Sequence, residues 1–116
     1  MEQQRLEKFT EVLREELAKV ISQEIDFPKG VLATVMNVSI YSDLSWAEIF
    51  VSVIPEQESE FVMNVLNSHA YFLHQALNDK IRIRRIPRIK FFPYIGPSKQ
   101  EKLEQILEEI KENSAT

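Results

Sequence analysis

From Lys80 to Phe92 the chain reads Lys-Ile-Arg-Ile-Arg-Arg-Ile-Pro-Arg-Ile-Lys-Phe-Phe, with six cationic side chains and no anionic one. Isoleucine alternates with charge through most of this stretch. A segment built that way must put one set of side chains inside, so it belongs to a folded surface and not to a loose tail. The whole chain carries 14 Lys and Arg against 18 Asp and Glu, a formal charge of −4. Nearly half of the basic residues are therefore gathered in one place, and everything outside it is acidic. A basic patch selects polyanions. The mean field of an acidic body does not cancel it, because at physiological salt that field is screened beyond about 8 Å.

With 116 residues, 44% hydrophobic and 28% charged, the chain has the size and mix of one soluble globular domain. It has no cysteine, which excludes disulfides, cysteine-based zinc sites and a thiol nucleophile. The start, Met-Glu-Gln-Gln-Arg, resembles neither a signal nor a transit peptide. No apolar run approaches the roughly 18 residues of a membrane helix. A cytoplasmic protein without membrane association is expected.

Leu6, Phe9, Val12, Leu13, Leu17, Val20, Ile21 and Ile25 recur at three- and four-residue steps, which predicts an amphipathic helix over about 4–25. Pro28 and Gly30 end it. Residues 31–41 form a β-branched strand in which Met36, Val38 and Ile40 alternate with Asn37 and Ser39. After the short Asp43-Leu44-Ser45 connection a second strand places Ala47, Ile49, Val51 and Val53 on one face. Trp46, Glu48, Phe50 and Ser52 occupy the other. So short a connection implies antiparallel pairing.

A helix follows from Pro55 to about Asp79, with a kink expected between Asn67 and Tyr71, where polar residues interrupt the stripe. A third strand spans about 86–93, and the long crossover makes it parallel to the second, with right-handed connection. Ser98 and Glu101 are spaced as a capping box for a last helix, whose narrow stripe predicts weak packing; residues 113–116 are expected to be disordered. The order is α-β-β-α(kinked)-β-α. It predicts an α+β fold with helices on one face of a three-stranded mixed sheet. Residues 1–95 form the main domain, and 96–116 a C-terminal helix and tail.

Lys80, Arg82, Arg84, Arg85, Arg88 and Lys90 are the candidate phosphate contacts, Arg as a planar fork and Lys as a point charge. Some can equally be solvated surface residues. Lys29 is a candidate extension of the patch. Trp46 and Phe50, sharing a strand face, could stack bases; the simpler reading is that a helix covers them. His69 and His74 miss the i, i+4 spacing of a helical metal pair, and no third ligand accompanies them. No metal, no cofactor and no catalytic constellation is read from the sequence.

The residues then narrow the family. Asp43-Leu44-Ser45-Trp46-Ala47 resembles the turn into the second strand of ribosome-binding factor A proteins. Phe72-Leu73, Leu77, Ile83-Arg84 and the spaced Pro87, Ile89 and Phe91 are similar to that family's second half. Arg5–Glu24 resembles its opening helix, so the likeness spans roughly residues 4–94. The resemblance implies a type II KH-like fold. It also implies a non-enzymatic assembly factor that binds 16S ribosomal RNA in the immature 30S subunit, assists pre-16S processing and is associated with growth in the cold. Ribosomal proteins are the second class of partner, and a monomer is expected. The family's use of its helix kink makes His69 and Tyr71 candidate RNA or ribosome contacts.

The chain departs from the family where relatives carry Ala-x-Gly at the kink. Here His69-Ala70-Tyr71 stands, without glycine. Most KH domains also clamp phosphates with a Gly-x-x-Gly loop. Gly30 and Gly96, the chain's two glycines, cannot form one, so side chains and surface shape must hold the RNA. The alternative reading is a protein-interaction module of similar α+β build, without RNA binding.

Overall fold

A computed structural model describes residues 2–81 and 86–115, with side chains over 4–81 and 86–110. Helix α1 (Glu2–Glu24) leads into strands β1 (Leu32–Ile40) and β2 (Trp46–Ile54). A 3₁₀ turn (Glu56–Glu58) opens helix α2 (Ser59–Ser68), followed by α3 (Ala70–Lys80), β3 (Arg88–Pro93) and α4 (Pro97–Ala115). The sheet order is β1-β2-β3, with β1 antiparallel and β3 parallel to β2.

The β1–β2 turn is closed by side chain and backbone together. Asp43 Oδ1 accepts the Ser45 N–H at 3.0 Å and the Ser45 hydroxyl at 2.6 Å, while Leu44 takes the left-handed φ of 61°. Tyr41 N–H then donates to the Trp46 carbonyl at 2.9 Å and starts the ladder. The aspartate is what makes so short a reversal affordable for a leucine.

Ala47, Ile49 and Val51 point into the core with Ile89 and Phe91, beneath Leu13, Leu17, Val20, Leu66, Leu73 and Leu77. The alternation expected of β2 and β3 holds throughout. In β1 it does not. The register shifts between Val35 and Asn37, so Met36 is the extra residue of a bulge and is exposed, while Val35, Val38 and Ile40 hold the inner face. Simple alternation had put Met36 inside; the bulge turns it out.

The long helix breaks at His69, within the window the sequence marks. The Val65 carbonyl, which would anchor the continuing helix, also accepts the Ser68 hydroxyl at 2.8 Å and the His69 Nδ1–H at 2.8 Å. Side chains thus compete for a helical acceptor. His69 sits at φ −103°, ψ 9°, a bridge conformation open to any residue. No glycine is needed for this break.

Helices on one face describes α1, α2 and α3. Helix α4 departs from that expectation and lies across the other face, where Leu103 and Leu107 line one cleft with Phe50, Phe92 and Pro93. Asn37, paired with Phe50 across the β1–β2 ladder, donates from Nδ2 to Glu104 at 3.0 and 3.2 Å. Its start also differs from the capping-box expectation. Pro97 opens the helix, where its missing N–H costs nothing. The buried Gln100 reaches back instead, accepting the Ile95 N–H on Oε1 at 3.2 Å. At its other end α4 stays helical to Ala115, past the point where disorder was expected.

Candidate nucleic-acid interface

The parallel register sets Trp46 opposite Arg88, Glu48 opposite Lys90 and Phe50 opposite Phe92. All six point away from the helical core, and two different surfaces result. Phe50 and Phe92, with ring centroids 5.8 Å apart, lie under α4. Trp46 lies outside the cleft that Phe50 and Phe92 share with Leu103 and Leu107. The Arg88 guanidinium stands 4.6 Å from its ring centroid and the Lys90 ammonium 5.1 Å. The quadrupole of the indole attracts both cations, and holds their side chains over the sheet instead of leaving them free to sweep.

The expectation that a helix covers this strand face holds for Phe50, which lies beside Leu103 and Leu107. Trp46 is a stacking candidate in the sequence, but its place beneath Arg88 and Lys90 emerges only from the register. The signal was available: a parallel β2–β3 pairing of adjacent strand starts brings the first residue of one strand beside the first of the other.

A cleft of 510 Å³ opens beside Trp46 and Arg88, walled by Ala70, Tyr71, His74 and Gln75 of α3. Tyr71, which stands where the family glycine would, is 76% exposed, so its ring is offered to solvent. His74 Nε2–H donates to the Ile86 carbonyl at 2.9 Å, pinning α3 to the residues that enter β3. His69 instead spends its Nδ1–H on Val65. The two histidines therefore serve as backbone clips. A smaller cleft of 170 Å³ on the sheet face is bounded by Tyr41, Trp46, Glu48 and Lys90. Burial, with the Glu48 and Asp43 carboxylates nearby, raises the Tyr41 phenol above its ordinary range.

Of the six cationic candidates, Arg88 and Lys90 share this surface. Lys80 belongs to the helical layer, where its ammonium donates to Gln23 Oε1 of α1 at 3.0 Å. Arg82, Arg84 and Arg85 lie outside the described residues. Lys29 is exposed in the turn after α1. His69 and Tyr71 flank the helix break, and only Tyr71 lines the cleft.

A mixed three-stranded sheet with a broken helix pair on one face, carrying cations and open aromatics where β2 and β3 begin, defines a KH-like protein without the glycine loop. The sequence model for the family Ribosome-binding factor A matches residues 5–107. Ribosome-binding factor A of Chlorobium limicola is 34% identical over 110 residues, covering 92% of each chain. The crystal structure of ribosome-binding factor A from Thermus thermophilus superposes with a TM-score of 0.67 at 30% identity, covering 78% of this chain and 97% of that one. A homology model of the Thermus thermophilus protein, fitted into a cryo-electron-microscopy map of a 30S–RbfA complex, gives a TM-score of 0.64 at 30% identity and covers 73% and 90%. This chain belongs to the ribosome-binding factor A family.

Proposed function

We propose that this protein is a ribosome-binding factor that binds 16S ribosomal RNA in the immature 30S subunit and assists maturation of that RNA, including pre-16S processing. It acts as a monomer in the cytoplasm, through binding and not catalysis, and supports ribosome assembly in the cold. The observation that carries this reading is the Trp46–Arg88–Lys90 cluster beside the Tyr71 cleft, in a chain of this family.

Arg88 and Lys90 supply charge for phosphates, and the exposed Tyr71 ring supplies a platform for an unpaired base. Arg82, Arg84 and Arg85, which precede Arg88 in the sequence, are proposed as further phosphate contacts. With no glycine loop to wrap a single strand, the contact is to a structured RNA whose phosphates and shape are met by a prearranged surface.

The test is binding to purified immature small subunits as salt is varied. Affinity should fall with a log–log slope of about 0.7–0.9 per phosphate neutralised. The double variant Arg88→Gln, Lys90→Gln should weaken binding strongly while costing only the two exposed cation–π contacts, about 0.5–1 kcal/mol each, in stability. Unchanged binding by that folded variant removes the assignment. Capture of one protein that resists nuclease, with no RNA retained, would replace it by the protein-interaction reading.

A further inference from the structure

Strand β2 outruns its neighbour. The last β3 partner is Pro93, opposite Val51, and Tyr94 N–H closes on the Val51 carbonyl at 2.9 Å. Ser52, Val53 and Ile54 continue β2 with β1 on one side only. Backbone groups alternate between the two edges of a strand. Val51 bonds toward β3, so Val53 aims its N–H and C=O to the same side, past the last β2–β3 pair, and no described turn or loop residue bonds to either.

The chain that would pair there is committed elsewhere. Ile95 N–H goes to Gln100 Oε1, the Gly96 carbonyl accepts the Gln100 N–H at 2.8 Å, and Gly96 turns away at φ +97°. Gln100 is buried, so the diversion is built into the fold. A groove of 1150 Å³ results, with the end of β2 along one side. Ile54 and Ile95, 61% and 43% exposed, give it apolar surface. Glu56 and Glu60 on the helix side outnumber its one cation, Lys99.

We propose that this groove docks an extended, basic segment of a protein partner by strand addition to Val53. The open strand edge supplies main-chain hydrogen bonds, Ile54 and Ile95 take an apolar side chain, and the two carboxylates select lysine or arginine over phosphate. It is separate from the Trp46 surface and stands or falls independently of RNA binding.

The experiment titrates the full ¹⁵N-labelled chain with a synthetic peptide of alternating lysine and valine. Saturable binding should slow exchange of the Val53 amide. The double variant Glu56→Lys, Glu60→Lys should weaken it about tenfold or more. Of two peptides N-methylated on alternate residue sets, one should lose binding and the other keep it, because only one set of amides faces the edge. Three outcomes overturn the proposal: no saturable binding, a methylated pair that behaves alike, or indifference to the charge reversal. Protection of Val53 by an RNA oligonucleotide, or by raising the concentration of the chain itself, overturns it equally.

Discussion

The Asn67 carboxamide closes two hydrogen bonds on the main chain of Phe91: Nδ2 donates to the carbonyl at 3.1 Å and Oδ1 accepts the N–H at 2.8 Å. Arg88 and Tyr94 direct their N–H groups to β2, so Phe91, an odd step between them, faces the open edge of β3. Asn67 stands in for a missing strand there, and Pro93 offers no N–H at all. Removing the amide leaves both groups of Phe91 to water at a crowded edge. Asn67→Ala should therefore cost about 1–2 kcal/mol, read as a lower urea midpoint with unchanged slope. Asn67→Asp keeps an acceptor and loses the donor, so it should fall between. A parent-like midpoint for Asn67→Ala would mean the edge is adequately solvated without the amide.

Tyr71 makes the opposite case. Its side chain is largely in solvent, so Tyr71→Ala should change stability by no more than about 0.5 kcal/mol. If it offers a stacking face, the same variant should weaken binding to RNA with unpaired bases by about 1–3 kcal/mol and leave the salt slope intact. Arg88→Ala should instead lower that slope by about one. Measuring affinity against salt for both variants separates a base platform from a phosphate contact.

Helix α4 is tied to the sheet by few groups, and its contribution is measurable. Leu103 and Leu107 are half-buried over Phe50 and Phe92. Leu107→Ala removes apolar cover from Phe50 and Phe92, and about 1–2 kcal/mol of destabilisation is expected for a partly buried leucine. Ile106→Ala, one residue away on the exposed side of the same helix, should cost only the small difference in solvation. Paired denaturation curves would show both; equal effects would mean that α4 does not lie on Phe50 in solution.

Most of the fold was legible because its signals are periodic. The α1 stripe, the two faces of β2 and the break near His69 all follow from spacing and side-chain type. The bulge at Met36 was not legible, since one inserted residue leaves no mark on a β-branched run. Nor was the side on which α4 lies: Leu103, Ile106, Leu107 and Ile110 announce a helix with one sticky face, but Phe50 and Phe92 identify its partner only once the register is known. The same register separates the cations. In sequence Lys80 and Arg88 belong to one run, yet in space Lys80 meets Gln23 in the helical layer while Arg88 meets Trp46 across the sheet.

Tyr41 supplies a prediction in pH. Its phenol ionises to an anion, and burial, with Glu48 and then Asp43 nearby, disfavours that anion in the folded chain. The folded pKa thus lies above the unfolded value, near 10. A group that holds its proton more tightly when folded contributes fully below the unfolded pKa, and that contribution disappears as pH rises through the folded one. Stability should accordingly fall as the solution passes about pH 10, over and above the loss from deprotonating lysines. Tyr41→Phe cannot ionise, so it should lack this added loss, and one component of phenolate absorbance should vanish with it. Parallel urea midpoints for the parent and Tyr41→Phe on both sides of that pH provide the check. If the two curves shift together, the phenol is as free to ionise in the native state as in the unfolded one.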